Sequence, residues 1–302
     1  MTDGASSPSQ GLSLRHALLA LAVTAVWGSN FVVIKVALTH LPPLTFATLR
    51  FVFAFVPAAF FLKRPEAPLR NLAAFGVLIG LGQFGLLYIA LKGQIAPGLA
   101  SLVMQTQTFL TIGLSMWITR ERLKGFQWAA LALGAVGLGV IVLHVDAVTT
   151  PLGLGLTLTA ALCWALGNTV QRATPRVNSL AFVVWSSVFA VPPLLGLALL
   201  TDGWAAMWAG VARADLTTWA SVAWQSLGNS LFGYAAWGFL LARYPAAVVS
   251  PWALLIPVFG MGASALVLGE SLPVWKLTAA VLVIGGLAVN LLGPRLSALR
   301  RA

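Results

Sequence analysis

The feature that most constrains this chain is a succession of apolar runs, each about twenty residues long, separated only by short breaks of Pro, Gly and charge. About 20 apolar residues in a helix cross the hydrocarbon of a bilayer. The runs predict spans at about 16–38, 44–62, 71–92, 97–119, 125–143, 151–171, 178–200, 217–241, 246–268 and 273–292. A backbone facing hydrocarbon has to satisfy its own hydrogen bonds, and unbroken apolar runs lack the alternation of a barrel strand. The expected fold is therefore an all-α integral membrane protein of ten transmembrane helices.

Composition agrees. Apolar residues make up 59% of the chain and charged ones 8%, against about a quarter charged in soluble domains. The net charge of +11 raises the question of a polyanion partner, but the basic residues sit singly or in threes between apolar runs. That distribution reads as topology, so membrane lipids and a small solute are the expected partners, and nucleic acid is not. Residues 1–13 are polar and Ser/Pro-rich and read as a disordered cytoplasmic tail, with residues 294–302 as a basic one. No small-residue cleavage pattern follows the first run, which ends in Thr39-His40-Leu41-Pro42-Pro43, so it reads as a retained anchor. With the N-terminus inside, Arg15, Lys63, Arg64, Arg70, Arg120, Arg122, Lys124, Arg172, Arg176, Arg243, Arg295, Arg300 and Arg301 share the cytoplasmic side. Only Lys35, Lys92, Arg213 and Lys276 fall on the other, which places both termini in the cytoplasm of a cell whose inner (plasma) membrane holds the protein.

Self-comparison adds a second constraint. Trp27 and Lys35 are spaced as Trp164 and Arg172 are, and Leu44, Phe46, Val52, Phe53, Ala54 and Pro57 match Leu180, Phe182, Val188, Phe189, Ala190 and Pro193. Ser101, Gly113, Glu121, Leu123 and Gly137 match Ser250, Gly262, Glu270, Leu272 and Gly286 in the same order. The expected units are residues 14–146 and 147–293, each of five helices. An odd number forces the second unit to enter from the opposite side, so the repeats are inverted, an architecture suited to alternating access around a site between the halves.

The stretch Trp27-Gly28-Ser29-Asn30-Phe31 with Lys35, the pair Arg50-Phe51, and Glu121-Arg122-Leu123 before a Gly-rich helix resemble the EamA family of the drug/metabolite transporter superfamily. Their second-half counterparts are Cys163-Trp164-Ala165-Leu166-Gly167-Asn168 with Arg172, Pro251 and Pro257, and Gly269-Glu270-Ser271-Leu272. The resemblance implies a ten-helix metabolite exporter, with the YddG-type exporters of aromatic and other apolar amino acids as the nearest kind. Ser186 stands where the repeat would place a second Arg50, so the halves are not equivalent.

A carried solute needs polar groups on a cavity rather than on lipid. Helical spacing aligns Val23, Trp27, Asn30 and Ile34 in one stripe, and Trp164, Asn168 and Gln171 in another. With Gln83, Gln105, Gln107, Gln225 and Asn229 they form the candidate substrate-binding set of rings and amides, suited to a zwitterion with an apolar side chain. Packing is the alternative role for Trp27 and Trp164, and helix-to-helix bonding for the amides. Arg50 lies about 7 residues inside its span, roughly 10 Å at 1.5 Å per residue. It is expected to meet Glu270 in an ion pair or else a substrate carboxylate, while Glu121 belongs to a gate on the opposite face. Gly76 and Gly80, like Ala130, Gly134 and Gly137, read as close helix contacts, and Trp204, Trp208, Trp219 and Trp275 as interfacial anchors. Pro57, Pro192, Pro193, Pro251 and Pro257 mark possible bends.

Other chemistries lack their residues. His16, His40 and His144 are scattered, Cys163 has no partner, and the acids Asp3, Glu66, Glu121, Asp146, Asp202, Asp215 and Glu270 lie in the tail, loops or helix ends. No catalytic set, metal site or cofactor is expected. Proton antiport through a mid-membrane acid is disfavoured against facilitated export, and a non-transporting scaffold or receptor is the rival from another class.

Overall fold

The structure, a computed structural model, describes residues 12–95, 100–101, 103–120, 122–143, 150–174, 177–268 and 274–299. Among these every regular element is helical. Helix α1 is Leu14–Ala37, α2 Pro43–Ala59, α3 Leu69–Leu91, α4 Thr106–Thr119, α5 Gly125–Val142, α6 Pro151–Arg172 and α7 Ser179–Thr201. Helix α8 is Trp204–Arg213, α9 spans 216–241, α10 spans 246–268, and α11 is Val274–Leu299. Five of these helices are long and apolar enough to cross a membrane, and Pro43–Ala59 and Gly125–Gly137 are shorter apolar segments.

The helices start where local chemistry satisfies free backbone donors. The hydroxyl of Thr150 accepts from the Gly153 N–H at 3.0 Å, the side-chain Oδ1 of Asn178 from the Ala181 N–H at 3.0 Å, and the Asp215 carboxylate from the Thr218 N–H at 2.8 Å, each satisfying a donor that the first turn leaves free. Helix α2 opens at Pro42-Pro43 and has no capping side chain of its own. Its Thr45 N–H and hydroxyl instead donate at 3.3 Å to Asp202, at the end of α7. Lys92 stands 3.6 Å from the same carboxylate, which is 2% exposed.

End contacts show successive long helices running in alternating directions. One layer gathers His40 with Thr218 (2.9 Å), Thr45 and Lys92 with Asp202, and Gln94 with Thr150 (2.8 Å). The other gathers His16 with Tyr244 (2.7 Å), the Trp185 indole with the Leu62 carbonyl (2.9 Å), and Asn71 with Thr174. Helix α2 packs on α7, α5 on α11, α1 on α10 and α4 on α6, with α3 against α6 and α7, and α9 against α1, α2 and α7.

Outward surfaces are apolar: Phe61 is 88% and Leu266 89% exposed. Among the described residues, Gln, Asn, Ser, Thr and Arg50 are buried between the helices. That reverses the distribution of a water-soluble protein and fits a lipid surround. Close helix contacts follow small residues, as expected. A Cβ at Gly76 would fall on the Ser186 carbonyl, one at Gly80 on the Ala190 methyl, and one at Gly134 within 2.7 Å of the Leu254 side chain.

Three features depart from plain α-helical spans. Residues Leu78–Gly85 of α3 and Trp224–Tyr234 of α9 wind as π-helix, and Ser250–Leu255 of α10, which opens with Pro251 near its start, winds as 3-10 helix. The stretch read as a connection after Thr201 holds α8, too short to register as a span. Met207 and Gly210 of α8 turn inward, and Trp204 and Trp208 outward.

Candidate functional site

Arg50 lies midway along α2 with 0% exposure. Its Nε donates to Ser230 Oγ and its Nη2 to Asn229 Oδ1, both at 2.7 Å. The guanidinium lies 3.6 Å from the centroid of the Phe84 ring and 5.1 Å from that of Phe51, and it faces the hydroxyls of Tyr88 and Tyr234. Ser226 Oγ donates to the Arg50 backbone carbonyl at 2.9 Å. Among the described residues Nη1 has no hydrogen-bond partner. Around it, Tyr234 donates to Gln83 Oε1 at 2.8 Å, and Gln225 Nε2 donates to the Tyr88 hydroxyl at 3.4 Å, leaving Gln225 Oε1 buried and unpartnered. A cleft bounded by the Arg50 neighbours Phe51, Ser230 and Tyr234, though not by Arg50 itself, is also lined by Gly76, Ser186 and Ser187.

The π winding builds this arrangement. Hydrogen bonds from i to i+5 widen the turn, so one face collects residues at i, i+4, i+5 and i+9. Gln225, Asn229, Ser230 and Tyr234 occupy those positions in α9, and all are buried. At α-helical spacing Ser230 and Tyr234 would turn away from Gln225. In α3, Gln83 and Tyr88, five apart, likewise face the same core.

A second group adjoins the first. Trp27 meets Trp164, Trp237 and Tyr234 with ring centroids at 5.2, 5.2 and 5.1 Å. Its Nε1 donates to the Asn229 carbonyl at 3.2 Å, and Gly233 permits the approach, since a Cβ there would strike the indole. These rings pack on one another, an arrangement that stabilises each pair by about 0.5–1.5 kcal/mol. Asn168 Nδ2 donates to Gln107 Oε1 at 3.3 Å and Thr111 Oγ1 at 3.1 Å, Gln107 Nε2 to Thr108 Oγ1 at 3.1 Å, and Thr108 to the Ser250 carbonyl at 3.3 Å. Gln105 donates to the Ser101 carbonyl within its own helical turn, and Gln171 to the Tyr234 carbonyl. Asn30 is buried in α1 with its Oδ1 unpartnered, as are Oε1 of Gln105, Oδ1 of Asn168 and the indole N–H groups of Trp164 and Trp237.

The structure thus brings Gln83, Gln225 and Asn229 to Arg50 and its tyrosines, packs Trp27 and Trp164 on Tyr234, joins Gln107 to Asn168 in a separate network, and buries Asn30 and Gln105 without joining them to either group. The expected partner of Arg50, Glu270, lies outside the described residues, and so does Glu121. The partners seen are Ser230 and Asn229. Periodicity missed Tyr88, Tyr234, Ser230 and Trp237, although Tyr88 and Tyr234 stood out as polar-tipped aromatics inside apolar runs. Among the described residues no three His, Cys, Asp or Glu side chains gather as a metal site.

At the layer holding α8, Asp215 lies 3.8 Å from His40 and accepts from the Thr218 hydroxyl at 2.6 Å. The Thr218 hydroxyl, then its N–H and His40, hold the Asp215 carboxyl below its usual range.

The same order of elements recurs in known proteins. A solved crystal structure superposes with a TM-score of 0.75 at 18% identity, over 95% of this chain and 100% of that one, which shows a shared fold. Proteins of Salmonella typhimurium and Escherichia coli K12, each named a probable amino-acid metabolite efflux pump, are 40% identical over 94% of this chain and 97% of their own length. The inner membrane transporter YedA of Escherichia coli K12, named as uncharacterized, is 27% identical over 82% of this chain and 81% of its own. The EamA-like transporter family matches residues 14–143 and again 151–292. With almost every described helix inside those two matches, the chain belongs to the EamA-like transporter family and is a membrane transporter, not an enzyme.

Proposed function

We propose that this protein exports small amino-acid metabolites across the inner membrane, by alternating access between inverted repeats 14–146 and 147–293, with both termini cytoplasmic. The observation that carries the reading is the buried polar core at the junction of the two halves. Asn30, Arg50, Gln105, Asn168 and Gln225 each keep one buried polar atom without a protein partner. Such groups are costly unless a solute or water completes their bonds, which supports a transport route through the buried polar interior. The names of the 40% identical relatives support the amino-acid class.

Pairing of the helices supports the inversion. The contact of α1 with α10 has its counterpart in α6 with α4, that of α3 with α6 in α9 with α1, and the π stretch of α3 in that of α9. A rocking motion of such halves exposes one site to each side in turn. The aromatic side chains first read as a stacking wall pack against each other, so the head group of the solute, more than ring stacking, is read by the polar core. Energy coupling is expected to be facilitated diffusion, because the acids stand in loops and at helix ends.

Proteoliposomes containing only this protein test the reading. Radiolabelled tryptophan, phenylalanine, threonine and a charged control are compared with and without an imposed pH gradient. Saturable flux of neutral amino acids without the gradient is expected. Strict dependence on a proton gradient overturns the uncoupled mechanism, and no flux of any amino-acid metabolite overturns the substrate class.

A further inference from the structure

A guanidinium keeps its charge throughout the range a protein meets. Arg50 carries that charge at 0% exposure, yet the described groups around it are neutral: Ser230 and Asn229, which it bonds, two phenyl faces, and the nearby phenols of Tyr88 and Tyr234. A buried charge left with neutral partners attracts an anion strongly. The geometry says which edge would receive it. Nε and Nη2 form one side of the fork and are held by α9 through Ser230 and Asn229, which fixes the plane of the group. The end of the fork carries Nη1, which has no hydrogen-bond partner among the described residues, and this end edge suits a carboxylate taken through two parallel bonds.

The Tyr88 hydroxyl, which faces Arg50, also receives the Gln225 amide N–H. Holding Gln225 this way leaves its Oε1 buried and unpartnered. The core therefore offers one cationic donor and one neutral acceptor joined through a single hydroxyl. An α-amino acid carries the complementary pair, a carboxylate and an ammonium on one carbon.

We propose that Arg50 and Gln225 form the head-group site of the transporter, the end edge of Arg50 taking the α-carboxylate and the Gln225 carbonyl the α-ammonium. Ser230 and Asn229 are positioning residues for Arg50. The assignment rests on the export function proposed above and narrows it to solutes with a free zwitterionic head.

The test uses proteoliposomes of the full chain and the amino acid that the wild-type protein carries best. Its flux is competed by the same amino acid unlabelled, by its carboxamide and by its N-acetyl derivative. Losing one hydrogen-bonded charge pair corresponds to roughly 10- to 100-fold weaker competition. That is the expected deficit of the carboxamide on the wild type, and the N-acetyl form is expected to compete worse than the free acid. In Arg50→Gln the acid-to-carboxamide ratio collapses towards one, whereas Arg50→Lys keeps part of it. Gln225→Leu abolishes discrimination against the N-acetyl form, and Glu270→Gln leaves the acid-to-carboxamide ratio at the wild-type value. A wild-type ratio in Arg50→Gln overturns the assignment, as does a collapsed ratio in Glu270→Gln. If Arg50→Gln does not fold, Arg50→Lys and Ser230→Ala decide: both are expected to lower the ratio part way, and an unchanged ratio in both overturns the proposal. Wild-type protein that carries amino acids but treats acid and carboxamide alike sinks only the head-group site. Wild-type protein that carries none sinks the functional reading with it.

Discussion

Replacing Gly76 by alanine sets two effects against each other. Alanine in a helix interior gains about 0.5–1 kcal/mol over glycine. At Gly76, however, the added Cβ falls on the backbone carbonyl of Ser186 and comes within 3.0 Å of the Phe189 Cβ. A backbone atom cannot swing aside as a flexible side chain can, so α3 and α7 must separate. Overlap with a backbone atom puts the cost in the upper part of the overpacking range, about 2–3 kcal/mol, leaving a net loss of about 1–2.5 kcal/mol. At about 2–4 °C per kcal/mol, the expected fall in melting midpoint is about 2–10 °C. Gly196→Ala on α7 is the control: its Cβ meets nothing within 4 Å, so only the helix gain remains and the midpoint should rise by about 1–4 °C. Thermal challenge in detergent followed by fluorescence-detected size exclusion reads both. Gly76 also lines the cleft bounded by the Arg50 neighbours Phe51, Ser230 and Tyr234, so flux in Gly76→Ala should fall at temperatures where the protein stays folded. A Gly76→Ala protein melting at or above the wild type would refute the close-contact argument.

The Asn168 and Thr111 pair, 3.1 Å apart, should show a coupling energy of about 0.6 kcal/mol in a double-mutant cycle of alanine variants, the usual size for interhelical bonds in membranes; zero coupling would remove it from the core network. The lowered carboxyl of Asp215 makes its cap present above the ordinary carboxylate range and lost as pH falls through the lowered folded-state value. Amide exchange in 216–218 should therefore rise relative to the rest of α9 only in strong acid, and Asp215→Asn should remove that step. Cys163, half-buried on α6 with its Sγ beside Gly82, should resist a membrane-impermeant maleimide in native vesicles and react fully after denaturation. Arg120 ends α4 with φ 54, where glycine escapes a steric cost of roughly 1–2 kcal/mol; Arg120→Gly should hold or raise the melting midpoint, and a clear fall would show that the arginine side chain matters more.

Long apolar runs made most helices legible, because hydrocarbon imposes a length and an internal bonding rule that few sequences can satisfy otherwise. The stripe of Val23, Trp27, Asn30 and Ile34 is buried as one face of α1, since an uninterrupted α-helix keeps its period. The same rule failed where the winding changed. Gln225 and Asn229 follow α spacing, but Ser230 and Tyr234 reach their neighbours only through the π turn, and composition does not announce it. Helix α8 escaped notice because ten residues are too few for a span and its Trp residues match interfacial loops equally well. Helix α10 carries its break where Pro251 stands, but the 3-10 stretch runs on to Leu255 among α1, α11, α4 and α5, contacts that the local sequence does not announce. For Arg50, depth in the span revealed that it needed partners; which ones depends on contacts made by a distant helix.

That distance has a consequence for how the protein is made. Arg50 and the residues that hold it, Asn229 and Ser230, are 179 and 180 positions apart. At about 5–20 residues per second of synthesis, the arginine leaves the ribosome roughly 9–36 s before its partners exist. During that interval α2 carries a full positive charge with nothing from α9 to hold it. Until α9 arrives, the nascent first half has to keep Arg50 near the headgroups, in water or against the insertion machinery. Final seating of α2 is thus a late event of biogenesis, and variants at Asn229 or Ser230 should be recognised by membrane quality control as defects of the first half.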